Sequence, residues 1–117
     1  TMKYNLIRDK QLASTLCDGT SKKDYLIGWS YKQLIQAFGE PTFNEPSADG
    51  KVQKQWVFKR EMDGACFTIY DFKTDKQYRS GDALTVAETF NTKWSVGSKV
   101  YAGEFVTDII TQLKKKN

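Results

Sequence analysis

Hydrophobic residues recur with helical spacing in three stretches of the chain. The strongest of these has one apolar stripe at positions i, i+3, i+4 and i+7, formed by Tyr31, Leu34, Ile35 and Phe38. Ser30 and Gln33 have the spacing of a capping box, with Trp29 and Leu34 spaced as a hydrophobic staple around it. Gly39 is typical of a helix end, since its residue type tolerates the left-handed conformation there. The pattern predicts a helix over residues 30–38.

Weaker helical patterns lie at both ends of the chain. Within residues 4–16, Asp9 is placed to cap a short helix, and Leu12, Ala13 and Leu16 share one of its faces. A second amphipathic stripe near the C-terminus consists of Phe105, Val106, Ile109, Ile110 and Leu113. Between the first two helices, the polar residues 19–24 are predicted to form a surface loop.

The middle of the chain changes to an alternating pattern typical of strands. From Val52 to Arg60, one face carries Val52, Trp56 and Phe58 and the other carries Gln53, Gln55 and Lys59. The turn signal Asp63-Gly64 separates this strand from a second one over residues 65–72, which predicts an antiparallel hairpin. A third strand is predicted over residues 93–97.

Together these elements predict an α+β fold in which helices pack on one face of a small antiparallel sheet of three or more strands. We expect one domain over residues 1–117, with 1–28 as an N-terminal elaboration and 30–114 as the core. The polar segment 73–92 is long for a simple connection, so we expect a functional loop that closes over a ligand.

Composition argues against catalysis. The 117 residues include 39% hydrophobic residues, enough for a core, but no histidine, which excludes Ser-His and Cys-His nucleophiles and histidine-containing zinc sites. Cys17 and Cys66 are too few for a thiolate metal site, and we expect two reduced, packed thiols. Asp63 and Asp71 have structural interpretations, in a turn and at a strand end, and no phosphate-binding glycine loop is present. We therefore predict a protein that is not an enzyme and uses no cofactor.

The charge of the chain is concentrated at one end. The net charge is +4, from 18 Lys and Arg against 14 Asp and Glu, but three of the lysines form the run 114–116. Without them the balance is 15 to 14, which does not favour duplex binding, and cations at a helix end complement the helix dipole. The sequence contains no signal-peptide pattern and no apolar run of membrane-spanning length, so a cytoplasmic location is expected.

Aromatic residues beside cations provide the candidate ligand site. Several aromatics have core spacing, whereas Tyr70, Tyr78, Trp94 and Tyr101 lie close in sequence to Lys or Arg. An aromatic ring stacks on a base and a neighbouring cation neutralises phosphate, a combination that fits a small anionic nucleotide. The same residue types also serve as anchors in protein interfaces. The predicted ligand-binding residues are Tyr70, Lys73, Arg79, Lys93, Trp94, Lys99 and Tyr101.

An ordered series of sequence blocks resembles a group of small bacteriophage and prophage accessory proteins. The series begins with residues 30–42, which contain Phe-Gly-Glu-Pro, and continues with an Asp-Gly-Lys turn at 49–51 and a strand with a central Trp56. It ends with Thr-Ile-Tyr-Asp at 68–71 and Trp-Ser-Val-Gly at 94–97. The resemblance implies a phage accessory protein made in the host bacterial cytoplasm, of a kind that often counters host defence by binding, and it transfers no catalytic residue.

Three hypotheses about function follow. The first is a non-catalytic protein that sequesters a nucleotide immune signal. We expect it to be a homo-oligomer, because a small domain forms a deep pocket more easily between subunits. The alternative is a protein–protein inhibitor of a host defence effector, of the anti-CRISPR type. The third is a single-stranded nucleic-acid binder, which requires a steep salt dependence of affinity.

Overall fold

A computed structural model describes residues 4–45, 52–72, 88 and 91–117 of the chain. The strands are β1 (Tyr4–Leu6), β2 (Ser21–Ile27), β3 (Gln55–Arg60), β4 (Cys66–Tyr70) and β5 (Lys93–Ser98). The helices are α1 (Lys10–Cys17), α2 (Tyr31–Phe38) and α3 (Gly103–Lys116). These elements form an α+β fold, as the sequence predicts. Apart from Glu88, Asn91 and Thr92, the predicted functional loop over 73–92 lies outside the described residues.

The five strands form one antiparallel sheet in the order β1-β3-β4-β5-β2. The predicted hairpin is confirmed as β3 and β4, with Trp56 opposite Ile69, and the third predicted strand is confirmed as β5. The N-terminal segment supplies both edge strands, β1 and β2. The predicted loop over 19–24 is therefore wrong from Ser21 onward. Because β2 is an edge strand with mostly exposed side chains, its polar residues do not show the alternation of a half-buried strand.

Helix α2 begins and ends as its sequence predicts. Ser30 accepts a hydrogen bond from the Gln33 backbone N–H at 3.3 Å, and the Gln33 side chain accepts one from the Ser30 N–H at 2.8 Å. At the other end Gly39 has a φ of 83°, which favours glycine, and its N–H donates to the Ile35 carbonyl. The first helix is also confirmed, since Asp9 accepts from two backbone N–H groups at its start.

The main core lies between one face of the sheet and the helices α2 and α3. Phe105 of α3 stacks on Phe67 of β4 with ring centres 4.6 Å apart, and Trp56 meets Trp94 edge-to-face at 5.5 Å. Fully buried aromatic rings of this size contribute much of the hydrophobic free energy of a small domain. The core contains Tyr4, Leu26, Leu34, Trp56, Phe58, Phe67, Ile69, Trp94, Val96, Ala102, Phe105, Ile109 and Leu113.

The opposite face of the sheet is only partly covered. Helix α1 contacts it near β3 and β4, where Cys17 meets Cys66 and the Gln55 amide approaches the Cys17 sulfur at 4.0 Å. Farther along the same face, Tyr25 and Ile27 of β2 remain exposed, with 36% and 64% of their surface open to solvent. This uncovered part of the sheet carries lysine side chains next to tyrosine rings.

Candidate functional site

Strand register brings cations and aromatic rings together on the uncovered face. Ser95 of β5 pairs with Tyr25 of β2 on one side and with Tyr70 of β4 on the other, so the three side chains form one row across the sheet. Lys93 lies two residues from Ser95 on the same face and pairs with Ile27. We call this surface the cation–aromatic face and define it by Lys22, Tyr25, Ile27, Tyr70, Lys93 and Ser95.

Two ammonium groups flank Tyr25. The Lys93 nitrogen lies 4.3 Å from the centre of the Tyr25 ring and the Lys22 nitrogen lies 4.8 Å from it, which are cation–π distances. Lys22 also donates a hydrogen bond of 2.6 Å to the Tyr25 hydroxyl. This hydrogen bond, with the charges of both lysines, lowers the pKa of Tyr25, and the same contact raises the pKa of Lys22. The contact with Tyr25 therefore favours the charged form of Lys22, and the Lys93 ammonium lies over the same ring.

Tyr70 forms the inner part of the face. A Cβ atom at Gly97 would lie 3.4 Å from the Tyr70 ring and 2.8 Å from the Thr68 hydroxyl, so the absent side chain of Gly97 lets this ring lie close to the sheet. Burial raises the pKa of Tyr70, while the Lys22 charge and a hydrogen bond with Ser95 act in the opposite direction. Tyr70 is thus half-buried and protonated at neutral pH beside the exposed Tyr25–Lys22 pair.

The charged side chains on this face of strands β2 to β5 are all positive. On strands β2 to β5 the side chains that register places on this face are lysine, aromatic, aliphatic or small and polar, with no Asp or Glu among them. Within the described parts of the chain, the salt bridges are Lys54 to Glu88 and Arg60 to Asp63, neither of which involves Lys22 or Lys93. Among the described residues neither lysine has a carboxylate partner, which favours an anionic ligand.

The structure brings together two of the seven predicted ligand-binding residues, Tyr70 and Lys93. Sequence reasoning missed Lys22, which it assigned to the loop over 19–24, and Tyr25, which it assigned to no element. The available signal was the short apolar run of Tyr25, Leu26 and Ile27, which is consistent with a strand. Lys73 and Arg79 lie outside the described residues.

Trp94 does not lie on this face. Its side chain is fully buried in the core, and its indole N–H donates a 2.7 Å hydrogen bond to the Trp29 carbonyl just before α2. Trp56 does the same at the other end of α2, donating at 3.0 Å to the Gly39 carbonyl. The two indoles therefore position α2 across the sheet, and the Trp94 ring has no exposed face for a base.

Lys99 and Tyr101 lie beyond the far end of β5. Lys99 lies six positions after Lys93, a rise of about 20 Å along an extended strand. Lys99 is close to Gly19 and acts electrostatically on the Cys66 thiol instead. Tyr101 is 82% exposed, and its hydroxyl lies so close to Gly103 that a Cβ there would be 2.2 Å away. These two residues do not join the cation–aromatic face.

The acidic residues considered for catalysis have structural partners. Asp63 accepts two hydrogen bonds from the Arg60 guanidinium, at 2.8 and 2.6 Å, and these with the Ala65 N–H lower the pKa of Asp63 to about 2. Asp71 is fully buried and accepts from the backbone N–H groups of Gln53 and Lys54 at 2.9 and 2.6 Å. Among the described residues, no group of three or more Cys, Asp or Glu side chains is arranged to hold a metal ion.

Comparison with known proteins finds no matching family model, no matching curated protein and no matching solved structure. Over the described ranges, every helix is too short or too polar to cross a membrane.

Proposed function

We propose that this protein is a non-catalytic binding protein that takes a nucleotide on its cation–aromatic face. The observation that carries the proposal is the position of two ammonium groups, from Lys22 and Lys93, at 4.8 and 4.3 Å from the centre of the Tyr25 ring. A nucleotide combines a flat base, which stacks on an aromatic ring, with phosphates, which ammonium groups neutralise. Both kinds of contact are within reach of one small ligand at this position.

The hydrogen-bonding capacity of the lysines supports an anionic ligand. A lysine ammonium has three N–H donors, and Lys22 uses one of them on the Tyr25 hydroxyl. Its remaining donors, with those of Lys93, are available for phosphate oxygens, and charge-assisted hydrogen bonds of this kind are stronger than neutral ones. The absence of Asp and Glu from this face of β2 to β5 means that no fixed negative charge on these strands opposes a phosphate.

The biological setting of the proposal comes from the ordered blocks that resemble small phage and prophage proteins. In that setting the protein acts in the host bacterial cytoplasm and counters defence by sequestering a nucleotide immune signal. The face is an open strip of sheet, so a second subunit packed against it would enclose the ligand more completely. The proposal therefore includes a homo-oligomer.

A thermal-shift screen against linear and cyclic nucleotides at two salt concentrations tests the proposal. A ligand present at about a hundredfold its dissociation constant stabilises the fold by roughly 2.7 kcal/mol. For a domain of this size, in which about 1 kcal/mol corresponds to about 4 °C, we expect a rise in melting temperature of about 11 °C with one nucleotide class. No shift with any nucleotide in the panel would contradict the proposal.

Substitutions on the cation–aromatic face test whether the nucleotide that raises the melting temperature binds there. We expect Lys22→Met and Lys93→Met each to weaken binding of the selected nucleotide by about 10- to 100-fold, the loss of one charge-assisted hydrogen bond. Lys32→Met is the matched control, because Lys32 is an exposed lysine of α2 on the opposite side of the sheet. Binding that is unchanged in both site variants would place the ligand elsewhere and overturn the assignment of the face.

A second candidate function is inhibition of a host defence protein by direct contact, and one observation favours it. Ile27 is 64% exposed beside Tyr25, so the face also offers an apolar anchor next to an aromatic one. If a bacterial partner docks here, Ile27→Asp should abolish its co-purification while Lys32→Met preserves it. Retention of the partner by the Ile27→Asp variant would exclude this face as the interface.

A further inference from the structure

The two cysteines of the chain meet although they are 49 residues apart in sequence. Cys17 is the last residue of α1 and Cys66 is the first residue of β4, and both are half-buried free thiols. Helix α1 packs against β4, and the two thiols lie close enough to interact through a hydrogen bond while both remain free. The Gln55 amide lies beside the pair, with its nitrogen 4.0 Å from the Cys17 sulfur.

The two thiols are not equivalent. The hydrogen bond from Cys17 and the positive charge of Lys99 lower the pKa of Cys66, whereas the same hydrogen bond and burial raise the pKa of Cys17. Cys17 is thus the proton donor and Cys66 the acceptor. Since the thiolate is the nucleophile in thiol–disulfide exchange, Cys66 is the sulfur that reacts first.

Each cysteine also borders a cavity of its own. Cys66 borders a cavity of about 240 Å³ that is lined as well by Lys99 and Gly64. Cys17 borders a separate cavity of about 430 Å³ between α1 and the residues around Phe43. A small reagent can therefore approach Cys66 through the cavity beside Lys99, while Cys17 borders the other cavity.

We propose that Cys17 and Cys66 are a thiol pair that a low-molecular-weight disulfide oxidises to an intramolecular disulfide, joining α1 to β4. In the first step the Cys66 thiolate attacks one sulfur of the small disulfide, forms a mixed disulfide and releases one small thiolate. In the second step Cys17 loses its proton and attacks the Cys66 sulfur, which forms the Cys17–Cys66 bond and releases the second small thiol. Overall, two protein thiols are oxidised and one small disulfide is reduced to two thiols.

Formation of this bond has a consequence for stability. A disulfide across a loop of this length restricts the unfolded chain strongly, because loop-closure entropy is removed before folding. We expect the oxidised protein to melt roughly 5–15 °C above the reduced protein. This effect is independent of nucleotide binding, since neither cysteine belongs to the cation–aromatic face.

Titration of the reduced full-length protein with oxidised glutathione tests the proposal. Intact mass spectrometry should show a loss of about 2 Da, the two thiol hydrogens, with no glutathione retained. The Cys17→Ser variant should instead stop with one glutathione attached at Cys66, because the resolving thiol is missing. Cys66→Ser should react several-fold more slowly than Cys17→Ser, since burial still disfavours the thiolate of the remaining Cys17.

Substitution of Lys99, compared with substitution of the distant Lys32, tests whether the Lys99 charge activates Cys66. Lys99→Met should slow glutathione attachment to Cys66 in the Cys17→Ser background, whereas Lys32→Met should not change it. The proposal is overturned if the wild-type protein retains glutathione on both cysteines, forms disulfide-linked dimers, or loses no hydrogens at any ratio of oxidised to reduced glutathione. Equal rates for the two single-cysteine variants would overturn the assignment of Cys66 as the attacking sulfur.

Discussion

Single residues in this protein take their roles from the face of the strand on which they lie. Lys93 and Trp94 are adjacent in sequence, but adjacent residues of a strand point to opposite faces of the sheet. Trp94 enters the core, while Lys93 contacts the ring of Tyr25 on the neighbouring strand. An aromatic residue and the lysine next to it in a strand therefore do not form a joint binding site. The cation that contacts an aromatic ring comes instead from a neighbouring strand.

The shifted ionisation of Tyr25 gives a residue-scale prediction. The pKa of Tyr25 lies below its ordinary value of about 10 because Lys22 donates a hydrogen bond to its hydroxyl and both lysines favour the phenolate. Lys22→Met removes the hydrogen bond and one charge, so it should raise the Tyr25 pKa toward the ordinary value. NMR titration of ¹³C-labelled tyrosine, with the Tyr25 signal assigned from Tyr25→Phe, measures this change.

The other tyrosines and a distant lysine are the controls for that titration. Lys32→Met should leave the Tyr25 pKa unchanged, because Lys32 lies on the opposite side of the sheet. Lys22→Met should also raise the pKa of Tyr70, since the Lys22 charge lowers it in the wild-type protein. An unchanged Tyr25 pKa in Lys22→Met would show that the contact does not persist in solution.

At the scale of elements, the sequence predicts those helices and strands whose formation depends on residues close together in the chain. Helix α2 was predictable from its capping box, apolar stripe and terminal glycine, all of which lie within ten or so residues. Strand β2 was not, because its place depends on pairing with β5, about seventy residues later in the chain. The candidate site could not be predicted for the same reason, since Tyr25 and Lys93 become neighbours only through that pairing.

The capping box of α2 supplies a prediction at this scale. Ser30→Ala removes the side-chain acceptor for the Gln33 N–H, and loss of such a cap typically costs about 1 kcal/mol of unfolding free energy. We expect the melting temperature to fall by about 4 °C. Differential scanning calorimetry of the two proteins measures this change.

An exposed serine of α1 serves as the comparison for Ser30. Ser14→Ala removes a hydroxyl from an exposed helix position, where alanine is the better helix former, so stability should stay within about 0.5 kcal/mol of the wild type. Equal effects of the two substitutions would mean that the capping box does not stabilise α2 as its geometry indicates.

At the scale of the whole molecule, the sheet separates two regions of positive charge. The cation–aromatic face carries Lys22 and Lys93 on one side, whereas the lysine run 114–116 ends α3, which packs on the other side. Asn117 donates a hydrogen bond to the Gln33 carbonyl, which holds this end of α3 beside the start of α2. Most of the net charge of +4 therefore lies away from the proposed ligand.

This separation predicts how affinity depends on charge and salt. Replacing Lys114, Lys115 and Lys116 by Gln lowers the net charge from +4 to +1, since 15 basic residues then face 14 acidic ones. If the nucleotide is held locally by two lysines, the affinity of this variant should stay within about twofold of the wild type at physiological salt, because the run is remote and screened. Because a small nucleotide lacks the condensed counterions of a polymeric strand, the logarithm of affinity should fall against the logarithm of salt concentration with a slope shallower than about −1.4, the value for two lysines at about 0.7 per contact on a single strand. Isothermal titration calorimetry at several salt concentrations measures both the affinity of the triple variant and the slope.

A much steeper slope, reduced by the triple substitution, would instead show that the lysine run binds phosphates and would favour a single-stranded nucleic-acid ligand.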